Sequence, residues 1–143
     1  MPEELPYDVF ISYRQQEPEK SWVRETLFPR LTEANLRVLI DFKHFRLGAP
    51  LITEMERGVK QSRYTLVVAT PKYFQSTFTE FENLLGQHLG LENSQHGLIV
   101  VMRETCDLTL RLGYKLWLSM TSTEEFEENL PRLIEGLTQP VNI

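Results

Sequence analysis

The sequence predicts an α/β protein built on a flavodoxin-like open, mainly parallel five-stranded sheet, in the order 2-1-3-4-5, with helices on both faces. Three observations support this fold class. Five short runs are rich in β-branched and aromatic residues, the first four are apolar throughout their middle, and helical patterns separate them. Such alternation implies right-handed βαβ connections. The runs are YDVFISY (7–13), RVLIDF (37–42), YTLVVAT (64–70), GLIVVM (97–102) and YKLWL (114–118).

Four segments between and after these runs have apolar residues at helical spacing. The first, 19–34, contains Pro29, which we expect to bend or split the helix. The second and third cover 51–61 and 78–90. The last begins at Ser122 with a capping box and continues to about residue 137. The stretch 103–113 fits neither strand nor helix clearly.

Composition limits the possible classes of function. The chain has 143 residues and a formal net charge of −5, which suits one domain (1–143) and argues against nucleic-acid binding through a basic face. No apolar run approaches the roughly 18 residues that a membrane span needs, and the acidic N-terminus does not resemble a signal peptide. With one cysteine and three scattered histidines, we expect neither a disulfide nor a metal site. The expected setting is the cytoplasm, with no resident cofactor.

The fold class by itself nominates a ligand crevice. In a sheet of this order, ligands bind beyond the carboxyl ends of the strands where the chain order reverses, here between the first and third strands. Tyr13 and Arg14 follow the first run, and Pro71, Lys72 and Tyr73 follow the third. Tyr13 can stack on a ligand or only close the strand, and Arg14 can bind phosphate or be an ordinary surface arginine. Lys72 and Tyr73 are expected at the mouth of the crevice.

Two glutamates near the start of the third helical segment have different expected roles. Thr77 and Glu80 form a capping box, which gives Glu80 a structural role and starts the helix at Phe78. Glu82 then lies about 40° around the helix from Phe78, at the rim of the apolar stripe, while Glu80 points well away from it. A carboxylate at the edge of a core beside a crevice is a candidate functional group. The alternative is a solvated glutamate that the helix dipole stabilises.

The sequence resembles the Toll/interleukin-1 receptor (TIR) domain in its order of motifs. The first box corresponds to YDVFISYR (7–14), and the second region to IDFKHFRLGAPL (40–51). The family's S-x-W-C-x-x-E motif corresponds to 76–82, with phenylalanine at position 78 in place of tryptophan. The similarity is weaker after residue 89, where only Leu116 and Trp117 are similar to the third box.

The resemblance implies two behaviours. Many TIR domains cleave NAD at the nicotinamide–ribose bond with the glutamate that corresponds to Glu82, so NAD is the expected substrate and Glu82 the expected catalytic residue. Other TIR domains are non-enzymatic scaffolds that assemble with one another through the loop after the second strand. Homotypic assembly is therefore the expected partnership, and enzymes of this family often need it. The expected substrate-binding residues are Tyr13, Arg14, Asp41, Lys43, Gly48, Lys72 and Phe78.

Several alternatives remain for individual residues and for the activity. Asp41 can instead cap or orient the next loop, Gly48 suits a positive φ angle, and Lys43 can meet a neighbouring subunit instead of the diphosphate. A nucleoside N-glycosidase or deoxyribosyltransferase would use a similar fold and glutamate on another substrate. A response regulator shares the fold class but needs an aspartate after the third strand, where this chain has Thr70 and Pro71.

Overall fold

A computed structural model describes residues 5–76, 96–107 and 117–141. Its centre is one five-stranded parallel sheet in the order β2-β1-β3-β4-β5, as the sequence predicts. The strands are β1 (Tyr7–Ser12), β2 (Val38–Leu39), β3 (Ser62–Ala69), β4 (Gly97–Met102) and β5 (Trp117–Ser119). The central strands β1 and β3 are deeply buried, which explains why their sequences are apolar without alternation.

The helices that the structure describes cover both faces of the sheet. They are α1 (Glu19–Trp22), a π-helical turn (Val23–Leu27), α2 (Phe28–Glu33), α3 (Asp41–His44), α4 (Leu51–Gln61), α5 (Pro71–Ser76) and α6 (Thr123–Thr138). One core cluster joins α1, the π turn, α2 and α6 to one face of the sheet. A second cluster joins α4 and α5 to the other face through Phe10, Met55 and Tyr73. Gly58 lets α4 approach β1 closely, because an added Cβ would lie 2.9 Å from the Phe10 ring.

The first helical segment is divided as expected, but by a π turn rather than a sharp kink. Trp22 and Phe28, which flank the turn, both keep right-handed helical dihedrals. Pro29 lies in the first turn of α2, directly after it. Proline has no backbone N–H to donate to the preceding helical turn. The wider π turn before Pro29 accommodates the loss of that hydrogen bond, and the chain remains helical to Glu33.

Two expected boundaries differ in the structure. The second run forms only a two-residue strand, and Asp41 begins α3 instead of ending a strand. Pro71, Lys72 and Tyr73 open a further helix, α5, before the helix that was expected to start at Phe78. The helical segment 51–61 is confirmed as α4. The segment 78–90 and most of 103–113 lie outside the described residues.

The capping box at Ser122 is half confirmed. The Ser122 hydroxyl accepts a hydrogen bond from the Glu125 backbone N–H at 3.1 Å, and α6 begins at the next residue. The Glu125 carboxylate instead accepts the Thr121 backbone N–H at 2.9 Å, one residue before the expected partner. The buried face of α6 consists of Phe126, Leu130, Leu133 and Leu137, as the helical spacing predicts, and Ile134, predicted on the same stripe, is partly buried.

Within the described ranges, no helix is both long enough and apolar enough to cross a membrane. The same residues contain no group of three or more potential metal ligands. Cys106 is a free thiol that packs against the α4 and α5 side of the core, and burial raises its pKa.

Candidate functional site

A cleft of about 320 Å³ opens at the carboxyl end of β1. Its apolar wall includes Phe10, Phe45, Leu51 and Met55. Its polar lining includes Ser12, Tyr13, Arg14, Gln15, Gln16 and Asp41. A second cleft of about 330 Å³ shares four of these residues with it and extends along the loop that contains Gly48. Together they form a partly apolar depression bounded by β1, α3 and the start of α4.

Tyr13 and Asp41 form one hydrogen-bonded unit at the base of this depression. The Tyr13 hydroxyl donates to Asp41 Oδ1 at 2.5 Å and accepts from Arg24 Nε at 2.8 Å. Arg24 Nη2 also donates to Asp41 Oδ2 at 3.2 Å. Burial, with the Asp41 carboxylate beside it, raises the pKa of the Tyr13 hydroxyl far above its usual value, so this tyrosine stays a neutral donor. Asp41 thus has the orienting role that the sequence left open, and it holds α3 against β1.

Arg14 is held at the rim of the cleft by three acceptors. Its Nη1 donates to Glu19 Oε1 and to the Glu17 carbonyl, each at 3.1 Å, and its Nη2 donates to Gln16 Oε1 at 3.1 Å. The Arg14 side chain is 14% exposed, whereas Glu19 is 2% exposed. The other Glu19 oxygen accepts the Thr70 hydroxyl at 2.7 Å, at the end of β3.

The space between the ends of β1 and β3 is filled rather than open. Glu19 bridges Arg14 and Thr70 there, and the Tyr73 hydroxyl is 2.8 Å from Ser12 Oγ. Tyr73, expected at the mouth of a crevice, is fully buried, and burial raises its pKa strongly. The cleft among the described residues lies between β1 and α4, on the β2 side of β1. None of the described β3 residues lines it. The segment after α5, which would border the expected crevice between β1 and β3, lies outside the described residues.

The loop between α3 and α4 is fixed by a buried carboxylate that the sequence did not single out. Glu54, 1% exposed, accepts the Arg46 backbone N–H at 2.7 Å and the Arg46 Nη2 at 2.9 Å. Arg57 Nη2 donates to the same carboxylate at 2.9 Å. These hydrogen bonds, first from Arg46 and then from Arg57, lower the pKa of Glu54 to about 2. Arg46 is thus already paired within the protein.

The remaining expected site residues that the structure describes are distributed over α3, the loop between α3 and α4, and α5. Gly48 has φ of 82° and lines the second cleft, so its positive φ is confirmed. The Lys43 ammonium lies 5.0 Å from the centre of the Phe28 ring, on the α2 side of α3. Lys72 is on the exposed surface of α5. Phe78, Glu80 and Glu82 lie outside the described residues.

Three residues of the site were not predicted from the sequence. Glu19, Arg24 and Glu54 are charged residues in helical segments, where exposure to solvent is the usual expectation. Only the i, i+3 spacing of Glu54 and Arg57 gave a local signal of pairing. Glu19 and Arg24 reach partners on other elements, and no spacing along one helix indicates such contacts.

The fold and the cleft define a flavodoxin-like α/β domain with a ligand-sized depression at the carboxyl end of its first strand. The chain belongs to the TIR domain family, since the profile described as "TIR domain" matches residues 9–134. The resemblance seen in the sequence motifs is thereby confirmed. Among solved structures, the TIR domain of the Toll-related receptor TRR-2 from Hydra magnipapillata superposes with a TM-score of 0.77. It is 19% identical and covers 93% of this chain and 99% of that domain, so it confirms the fold.

Curated relatives include both receptors and an enzyme. The chain is 24% identical to Toll-like receptor 6 from Bos taurus over 98 residues, which are 68% of this chain and 12% of the receptor. It is 30% identical to the NAD(+) hydrolase TirS from Staphylococcus aureus over 97 residues, which are 67% of this chain and 33% of TirS. The chain therefore spans a third or less of the length of these relatives.

Proposed function

We propose that this TIR domain cleaves NAD at the nicotinamide–ribose bond, giving nicotinamide and ADP-ribose or a cyclic isomer, and that self-assembly activates it. The observation that carries this proposal is the composition of the β1 cleft. Its apolar wall suits a flat nicotinamide ring, and Arg14 at the rim is a cation for the diphosphate. Similarity to the NAD(+) hydrolase TirS gives independent support.

Glu82 is the proposed catalytic residue, and its role follows from the charge that develops in the reaction. The nicotinamide ring of NAD is cationic, and when it leaves as a neutral base the positive charge passes to the ribose as an oxocarbenium-like species. A carboxylate fixed against the ribose hydroxyls interacts most strongly when this charge develops, so it stabilises the transition state more than the substrate. The leaving group needs no proton, so one carboxylate is sufficient, unlike the pair in most glycosidases.

Six other residues and Phe78 would bind and orient the substrate. Arg14 would contact phosphate oxygens, and Tyr13 and Asp41 would form the fixed base of the cleft. Gly48, without a side chain, would let the loop pass close to the ligand. Phe78 would offer an aromatic face to the pyridinium ring, with a cation–π contribution of about 1 kcal/mol. Lys43 lies on the α2 side of α3, and Lys72 lies on the exposed surface of α5. Both lysines would therefore attract the diphosphate through the electrostatic field instead of direct contact.

The test is nicotinamide release from NAD by the purified domain at high protein concentration, followed by chromatography. We expect release by the wild type and none by Glu82→Ala, with the same far-UV circular dichroism for both proteins. Glu80→Ala is the matched control on the same segment. It should lose about 1 kcal/mol of stability from the lost cap and keep its turnover. Turnover by Glu82→Ala at the wild-type rate would remove Glu82 from the mechanism, and turnover lost only in Glu80→Ala would reverse the two roles.

A second candidate function is a non-enzymatic scaffold that acts through TIR–TIR contacts. It is favoured by the exposure of large apolar residues near the loop between α3 and α4, namely Phe42, Leu47, Leu51 and Ile52. Absence of nicotinamide release from a folded, self-associating wild type would favour this function over the enzyme. The two functions are compatible if assembly completes the site.

A further inference from the structure

Glu19 is a buried carboxylate that joins three elements at the ends of the central strands. It opens α1, it is 2% exposed, and its two oxygens have different partners. Oε1 accepts Arg14 Nη1, just beyond β1, and Oε2 accepts the Thr70 hydroxyl, just beyond β3. A buried carboxylate is costly unless it is fully paired, and the two contacts satisfy both oxygens.

We propose that Glu19 is a positioning residue for this cleft: it holds the Arg14 guanidinium in the orientation that receives the diphosphate of a dinucleotide. The proposal rests on the proposed function, because it assigns Arg14 to the diphosphate of NAD. Glu19 itself does not contact the substrate and acts only through Arg14 and Thr70.

The hydrogen bonds of Arg14 support this division of roles. A guanidinium has five N–H donors in a fixed plane. Glu19, the Glu17 carbonyl and Gln16 accept three of them, two from Nη1 and one from Nη2. Within the described part of the chain, the Nε donor and one Nη2 donor remain for a ligand. Because the Nη1 end is anchored, the remaining donors are presented at the rim in one orientation, so little side-chain freedom is lost on binding.

The second carboxylate oxygen of Glu19, Oε2, fixes the start of α5 through Thr70. The Thr70 hydroxyl that donates to Glu19 also accepts the Tyr73 backbone N–H at 3.1 Å, in the first turn of α5. One chain of hydrogen bonds therefore runs from Arg14 through Glu19 and Thr70 to the Tyr73 amide. The segment with Phe78 and Glu82 follows α5 in the sequence. Glu19 thus positions both the Arg14 guanidinium at the end of β1 and the first turn of α5 at the end of β3.

The experiment compares Glu19→Gln with the wild type in NAD turnover. This substitution keeps the shape of the side chain but removes the charge that anchors Arg14. We expect the KM for NAD to rise about fivefold to tenfold, as for a side chain that must be ordered on binding, with a smaller change in kcat. In an Arg14→Gln background, Glu19→Gln should change KM no further, because its effect passes through Arg14. A KM that is unchanged or lower in Glu19→Gln, or an additive double variant, would overturn the proposal.

Asp8→Asn is the matched control. Asp8 is also a largely buried carboxylate paired with arginines, but it lies at the opposite end of β1, where it binds Arg37 and Arg63. The control should lower the melting temperature and leave KM unchanged. If Glu19→Gln does not fold, Thr70→Val is used instead, because it removes the hydrogen bond to Glu19 Oε2 with little change in side-chain volume. A higher KM supports the proposal, and a KM equal to that of the wild type overturns it.

Hydrogen exchange separates failure of this proposal from failure of the proposed function. If the wild type releases no nicotinamide, the enzyme assignment fails, and the Tyr73 amide then decides whether Glu19 positions the strand ends. Faster exchange at this amide in Glu19→Gln, with unchanged exchange in α6, supports the positioning role. Equal exchange at the Tyr73 amide in both proteins overturns it.

Discussion

Gly48 shows how one residue sets the path of the loop between α3 and α4. Its φ of 82° belongs to the left-handed region, where a Cβ strains the backbone. An added Cβ at this position would have no neighbour within 4 Å, so crowding plays no part. The cost of a side chain here is therefore a backbone cost alone.

Gly48→Ala should lower the free energy of unfolding by about 1–2 kcal/mol. Gly136→Ala is the matched control, because Gly136 lies in α6 and an added Cβ would meet Ile99 at an ordinary 3.7 Å. It should stabilise the protein by up to about 1 kcal/mol through the better helix propensity of alanine. Urea denaturation of both variants measures whether each free energy of unfolding falls or rises. A Gly48→Ala protein as stable as the wild type would show that the loop adopts another conformation.

At the scale of elements, the loop between α3 and α4 is held by hydrogen bonds to a buried carboxylate, in addition to the packing of Phe45 against the core. Glu54 in α4 accepts hydrogen bonds from Arg46 in the loop and from Arg57 one turn further along α4. Arg57 also donates to the His44 carbonyl at the end of α3. One buried carboxylate therefore joins α3, the loop and α4, which together border both clefts.

This arrangement predicts a dependence of stability on pH. The Glu54 pKa is lowered from 4.5 to about 2 in the folded protein, so the folded state prefers the ionised form. The stabilising contribution is complete above the unfolded pKa of 4.5 and is lost as the pH falls towards 2. The difference in free energy of unfolding between the wild type and Glu54→Gln should therefore be constant above about pH 5 and shrink below it. Urea denaturation from about pH 2.5 to about pH 7 measures this, and a difference independent of pH would contradict the role of Glu54.

At the scale of the whole molecule, the two sides of the cleft region differ in polarity. Hydrogen-bonded charged side chains such as Asp41 and Glu54 surround the clefts, while the loop and helices beside them expose apolar side chains to solvent. Leu47 is 103% exposed, and Phe42, on the preceding helix α3, is 46% exposed. Exposed large apolar residues next to a candidate site are typical of interaction surfaces.

If the domain self-associates as proposed, Leu47→Asp should reduce the association, because a charge would have to be buried at the contact. Light scattering coupled to size-exclusion chromatography over a range of concentrations measures the effect. Trp117→Ser is the matched control, since Trp117 is 44% exposed on β5, at the far edge of the sheet. If Trp117→Ser abolishes association and Leu47→Asp does not, the contact lies at the β5 edge.

The fold could be predicted from local signals. Apolar runs marked all five strands, helical spacing marked α4 and α6, and the parallel order followed from the alternation of strands and helices. The boundaries were less accurate where tertiary contacts decide them. Asp41 opens α3 because its carboxylate is held by Tyr13 and Arg24, which lie on other elements.

The sequence by itself determined the architecture, the family, and the candidate residues Arg14, Asp41 and Gly48 near one end of the sheet, because periodicity and motif order are local properties. Only the tertiary structure decided what those residues contact. It placed the cleft beside α4, filled the space between β1 and β3 with Glu19 and Tyr73, and paired Arg46 with Glu54. The physical reason is that a buried charge is stable only when it is paired, and the fold decides which partner lies near it. These partners come from elements that are distant in the sequence or from across a loop.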